Sequence, residues 1–132
     1  MEHDREQGVT DVIGRFKEAG IRTSIFVDPS AEMVRGAKEC GTDRVELYTE
    51  SYASGYAENR EEAIKPFIDA AVAARDLGLG LNAGHDLSLV NLAYFHRMIP
   101  WTDEVSIGHA IICDALYIGL KNTIEAYLQC LK

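Results

Sequence analysis

The chain has 132 residues, with 13 Lys plus Arg against 21 Asp plus Glu, 47% hydrophobic residues and a formal net charge of −8 with His neutral. That balance excludes a disordered chain and allows one core of ordinary size, while the acidity argues against a general nucleic-acid binder and leaves room for a local anion site. No apolar run approaches the roughly 18 residues of a membrane span, and the start, Met-Glu-His-Asp-Arg-Glu-Gln-Gly, lacks the apolar stretch of a secretory signal.

The pattern then alternates. Residues 10–20 carry Val12, Ile13, Phe16 and Ala19 at helical spacing, and Gly20 is a C-terminal stop. Residues 21–27, IRTSIFV, are β-branched and aromatic and end at Asp28-Pro29, which predicts a buried strand. Ser30 caps a helix that runs to Gly41, and residues 44–48, RVELY, form a short strand. Residues 49–60, rich in Ser, Gly, Tyr and Glu, read as a long loop, and residues 61–77 as an alanine-faced helix. Pro66 then belongs in that helix's first turn or marks a kink. GLNAG at 80–84 is a strand ending at His85, and 88–99 is a helix stopped by Pro100. EVSIG at 104–108 is a strand ending at His109. Residues 111–131 form a last amphipathic helix with Ile112, Leu116, Leu120, Ile124, Leu128 and Leu131 on one side.

One helix followed by four β-α units predicts an α/β fold with parallel strands. An eight-stranded β/α barrel takes about 250 residues, so four units are half of a TIM-type barrel or an open sheet of the flavodoxin kind. The second needs helices on alternating faces. No linker or composition break appears, so residues 1–132 are one domain or one piece of a domain.

Parallel β/α proteins bind ligands at the carboxyl ends of their strands. The residues there are Asp28, Glu46 with Thr49, Asn82 with His85, and His109. Asp28 is explained by the turn that Asp-Pro begins. Glu46 is not, since it lies between Val45 and Leu47 within a strand, where a carboxylate needs a partner or a ligand. Gly84-His85 and Gly108-His109 repeat, each after a strand and before a helix. Gly admits close backbone approach, a helix N-terminus favours an anion, and His exchanges protons near neutral pH.

The remaining candidates have structural explanations. His96 is a surface or packing residue, His3 lies in a polar tail, and Trp101 anchors a loop. Tyr48, Tyr52 and Tyr56 either cover a ligand or pack together. Cys40, Cys113 and Cys130 show no CxxC or metal spacing and read as buried or half-buried free thiols of a reducing compartment, which points to the cytoplasm. No P-loop, GxSxG or GxGxxG occurs.

The runs GLNAGHDL at 80–87 and VSIGHAI at 105–111 resemble pyridoxine 5′-phosphate synthase, as do IRTSIFVD at 21–28 and VELYT at 45–49 with Tyr52-Ala53 after it. The resemblance implies a β/α barrel assembled as a homo-octamer in the cytoplasm, with neither metal nor organic cofactor. It implies condensation of 3-amino-2-oxopropyl phosphate with 1-deoxy-D-xylulose 5-phosphate to pyridoxine 5′-phosphate, phosphate and water. His85 would be the proton donor in ring closure and Glu46 the stabiliser of transition-state charge. Asp86, Gly108 and His109 would hold substrate or phosphate.

Two departures bear on this. Relatives commonly carry Gly where Asp86 stands, and a negative side chain there opposes an anion unless it turns away to cap the helix starting at Ser88, so position 86 is expected to act only as a backbone contact. The chain also matches only the family's second half. The first four strands, with an Asn and Asp-His pair, a His base, arginines and another Glu, have no counterpart in residues 1–20. The expectation is a partial domain that alone is inactive or weakly active. The alternatives are a self-associating half-barrel that binds phosphate esters without chemistry, and a flavodoxin-like interaction domain. Neither nucleic acid nor membrane is an expected partner.

Overall fold

The computed structural model describes residues 2–132, with side chains from residue 7 onward, so the His3 side chain lies outside the described residues. The order is α1 (Glu2–Glu18), β1 (Ser24–Val27), α2 (Ala31–Glu39), β2 (Arg44–Tyr48), α3 (Glu50–Asp76), β3 (Gly80–Gly84), α4 (Leu92–Met98), β4 (Glu104–Ser106), α5 (His109–Ile118) and α6 (Leu120–Gln129). The strands form one parallel sheet in chain order, β1-β2-β3-β4.

The two faces of that sheet differ. Val27, Val45, Leu47, Leu81 and Ala83 are buried, with Ile25 and Val105 beside them, beneath α2, α3 and α4 and the inner residues of α5 and α6. The alternate residues form rows on the other face: Phe26, Glu46, Asn82 and Glu104 pair in one row, and Ser24, Arg44 and Gly80 in another. This second face carries charges and no helix core. A doubly wound sheet needs helices on both faces, so the flavodoxin-like alternative falls and the arrangement is that of half a TIM-type barrel.

Several elements differ from the sequence reading. Residues 50–60 belong to α3, with Thr49 as its N-cap, and are not a loop. Ser, Gly and Asn there each cost up to about 1 kcal/mol of helix propensity, but burying the Tyr52 ring contributes about 2–3 kcal/mol. Tyr52 is fully buried, stacks edge-on against Tyr56, Phe67 and Phe95, and donates to the Asn91 carbonyl at 2.6 Å. The tyrosine cluster is therefore packing for Tyr52 and Tyr56, while Tyr48 stands on the open face against Phe26. The break in α3 is at Asn59 (φ −154°, ψ 90°), whose side chain accepts from the Glu62 amide and caps the second segment. Pro66 lies inside that segment, past its first turn.

The final amphipathic run is two helices, because Gly119 adopts φ 82° and ψ 150°, a conformation reserved for glycine. Its apolar stripe is largely in water: Ile112, Leu116, Leu120, Ile124 and Leu128 are all exposed. The helix expected from Ser88 begins at Leu92, since Ser88–Asn91 form a turn in which Ser88 O accepts from the Asn91 and Leu92 amides. The first helix starts earlier than expected, at Glu2, and ends at Glu18, with Gly20 at φ 74° turning the chain and the Ile21 amide reaching back to Phe16 O. Ser30 caps α2 through the Glu32 amide as expected, and Trp101 anchors its loop by donating to Ala71 O at 3.2 Å. Cys113 is exposed, against expectation, while Cys40 and Cys130 are half-buried. No helix among the described residues is long and apolar enough to cross a membrane.

Candidate active site at the strand ends

Glu46 comes from the middle of β2 and points to the open face. Its side chain is only 16% exposed, and Oε1 is buried with no hydrogen bond of its own, facing His85 Nδ1 at 3.3 Å. A carboxylate left so is costly unless a charged partner or ligand completes it.

Gly84 makes this approach possible. A Cβ at that position would stand 2.7 Å from Glu46 Oε1 and 2.7 Å from Ser106 O. His85, one residue beyond β3, is the one non-glycine residue with positive φ among the described residues, at 78°. Its amide donates to Ser106 O at 2.7 Å, tying the turn to β4. The imidazole is 63% exposed and meets the Phe26 ring edge-on at 5.3 Å. Nδ1 faces Glu46, which leaves Nε2 for a substrate. An exposed imidazole held beside a carboxylate is equipped to pass a proton.

Gly108 and His109 lie just past β4, the neighbour of β3, with both residues exposed. Gly108 precedes α5 and His109 opens it, with no side chain capping the start. The first-turn amides there have no intrahelical acceptors, an arrangement that suits an anion. Asn82, in the middle of β3 and in register with Glu46, is committed to other partners: it accepts from Arg44 at 3.0 Å and donates to Glu104 at 3.3 Å. Asp28 stands exposed after β1.

The Asp86 side chain does not turn to cap the following turn. Its carboxylate caps nothing: Ser88 Oγ accepts from Val90 N, and Asn91 Oδ1 accepts from Ser88 N. Its backbone is engaged within the chain, the amide donating to Thr49 Oγ1 and the carbonyl accepting from Asn91 Nδ2. His96, half-buried in α4, has an Nδ1 without a partner and takes no part in the site. Phe26 was missed in the sequence reading. Its signal was available, since alternation within β1 puts it in the same row as Glu46.

An apolar groove lies elsewhere, between α1 and β1, lined by Val9, Val12, Phe16 and Ile21. Among the described residues no cluster of three or more His, Cys, Asp or Glu side chains is placed to hold a metal ion.

The sequence profile of the family described as pyridoxal phosphate biosynthesis protein PdxJ matches residues 2–132. The chain belongs to the PdxJ family. Among its relatives, the pyridoxine 5′-phosphate synthase of Cytophaga hutchinsonii is 62% identical over 124 residues, covering 94% of this chain and 52% of that protein. The synthase of Phocaeicola vulgatus is 63% identical over the same shares. The chain thus spans about half the length of the curated PdxJ relatives it matches. Of solved structures, the HMG-CoA lyase of Brucella melitensis aligns with a TM-score of 0.58 at 20% identity, over 86% of this chain and 44% of that one. The BexX/CysO complex of Amycolatopsis orientalis aligns with a TM-score of 0.58 at 16% identity, over 96% and 49%. These two likenesses concern the fold.

Proposed function

We propose that this PdxJ-family chain carries the C-terminal half of a pyridoxine 5′-phosphate synthase active site. The observation that carries the reading is the Glu46–His85 pair, 3.3 Å apart at the end of β3. In this reading His85 Nε2 gives a proton during ring closure, and the Glu46 carboxylate stabilises the positive charge that develops nearby. The uncapped start of α5, with Gly108 and His109, holds a substrate phosphate. Asp86 bounds the site through its backbone. The substrates are 3-amino-2-oxopropyl phosphate and 1-deoxy-D-xylulose 5-phosphate, and the products are pyridoxine 5′-phosphate, inorganic phosphate and water. The reaction uses no cofactor or metal.

Residues 1–132 are one partial domain in this reading, with four further β-α units supplying the rest of the ring of side chains. The assembled enzyme is a cytoplasmic homo-oligomer with neither nucleic acid nor membrane as partner. The net charge of −8 supports the first of these exclusions. The test is turnover of both substrates by the pure chain, alone and mixed with the N-terminal half of a relative. The expected result is little or no product alone, product on mixing, and loss of that product with H85N or E46Q. Turnover by the lone chain at a whole enzyme's rate, or H85N and E46Q mixtures as active as the parent, overturns it.

The exposed stripe on α5 and α6 favours a second reading: self-association into a phosphate-binding half-barrel without chemistry. Phosphate-ester binding with no product on mixing would select it.

A further inference from the structure

We infer that Thr49 is the positioning residue that sets the aim of His85. This rests on the reading of His85 as the proton donor, and the spectroscopic part of its test is independent of turnover.

Thr49 follows β2 directly and is the N-cap residue of α3. A threonine there ordinarily turns its hydroxyl onto the first-turn amides of its own helix, a contact worth about 1 kcal/mol. Thr49 makes no such bond. Its side chain is fully buried and directed across to the next strand. There Oγ1 donates to Gly84 O and accepts from Asp86 N. One hydroxyl therefore holds the peptide groups on both sides of His85 through the backbone alone.

What it holds is a conformation that does not hold itself. His85 has φ 78°, uncommon for a residue with a side chain. On the β4 side, its own amide bonds to Ser106 O at 2.7 Å. The turn is thus pinned from β2 and β4 at once, and the imidazole is fixed in its direction from the backbone up. Replacing the hydroxyl with a methyl group removes the bonds to Gly84 and Asp86 together. The loop then relaxes towards negative φ, and the ring swings away from Glu46 and Phe26.

The probe is nuclear magnetic resonance on the 132-residue chain, comparing T49V with T49S. A positive φ at His85 gives a strong Overhauser effect between its own amide and α protons. In T49V this effect weakens and the Asp86 amide exchanges about tenfold faster or more, while the Val45 and Leu81 amides keep their rates. T49S, which keeps the hydroxyl, restores both signals. In the mixed enzyme above, T49V lowers kcat by about tenfold to a hundredfold with KM nearly unchanged, and T49S recovers it. Unchanged His85 and Asp86 signals in T49V overturn the proposal, as does an unchanged kcat where H85N abolishes turnover. Should T49V fail to fold, T49S decides: intact signals support the role of the hydroxyl, and loss of either overturns it. Failure of H85N to affect turnover would remove the catalytic reading of His85 and leave the spectroscopic result standing.

Discussion

Arg22 and Glu104 flank opposite edges of the four-stranded sheet, yet Arg22 Nη2 donates to both Glu104 oxygens, at 3.0 and 3.1 Å. Arg22 stands just before β1 and Glu104 opens β4, so the contact crosses the whole open face near the amino ends of the strands. Arg44 and Asn82, from the two strands between, complete the bridge. The polar groups on this face thus fall into two sets: the network linking Arg22, Arg44, Asn82 and Glu104, and the Glu46–His85 pair.

The network's members contribute unequally. Arg22 and Glu104 are about half exposed, so R22M should lower stability by less than about 1 kcal/mol. Glu104 also accepts from Asn82 Nδ2 and lies 3.8 Å from the more buried Arg44. E104Q should therefore cost more, about 1–2 kcal/mol. Urea midpoints of the two variants check the order, and an E104Q no costlier than R22M would refute it.

Gly84 has no room for a side chain. In G84A the methyl group meets both Glu46 Oε1 and the Ser106 backbone oxygen at 2.7 Å. The carboxylate can turn away, but the backbone oxygen cannot without disturbing the bond it accepts from His85 N. A loss of about 1–3 kcal/mol is expected, with the Glu46–His85 contact opened. A melting curve matching the parent's would exclude this.

Asp43 ties β2 to the start of β1. Its carboxylate accepts from the Thr23 amide at 2.8 Å and the Thr23 hydroxyl at 3.0 Å, with Lys17 at 3.5 Å. The Thr23 bonds, foremost that from its amide, hold its pKa below the ordinary 3.8. The depressed value means that Asp43 adds stability above pH 3.8, and that this contribution fades as the pH falls through the folded value. D43N should melt at a lower temperature than the parent at neutral pH, with the gap closing in acid. A gap constant from pH 7 to pH 2 would refute the linkage.

Two glycines should respond oppositely to alanine. Gly119 holds the α5–α6 junction at φ 82° and ψ 150°, so G119A should cost about 1–3 kcal/mol. Gly14 sits within α1 with open space where its Cβ would go, so G14A should gain about 0.5–1 kcal/mol. Thermal midpoints of the pair check the signs, and equal shifts would count against the assignment.

The strands were the most legible part of the chain. Residues 44–48 and 80–84 are strands with the bounds read from the sequence, because short apolar runs between turn residues leave little choice. The Glu46 anomaly was legible for the same reason, as a charge set between Val45 and Leu47. What was hidden depended on distant partners. Residues 49–60 look like a loop until Tyr52 finds Phe67 and Phe95, and a continuous stripe from Ile112 to Leu131 conceals a break fixed by one backbone angle. The proximity of Glu46 to His85 follows from register, and neither composition nor spacing encodes which strand lies beside which.

The sheet has two unlike edges. Every strand runs the same way, so β1 offers one side of its backbone and β4 the other, like the two ends of a zip. A further set of strands laid beside β4 in the same sense joins head to tail, and its own far edge is again of the β4 kind. Such a series has only two outcomes: it bends round until the last edge meets the first, or it continues as a ribbon. Closure at eight strands brings the matching edges together, so the handedness and curl of these four strands are what separate a finite object from an endless one.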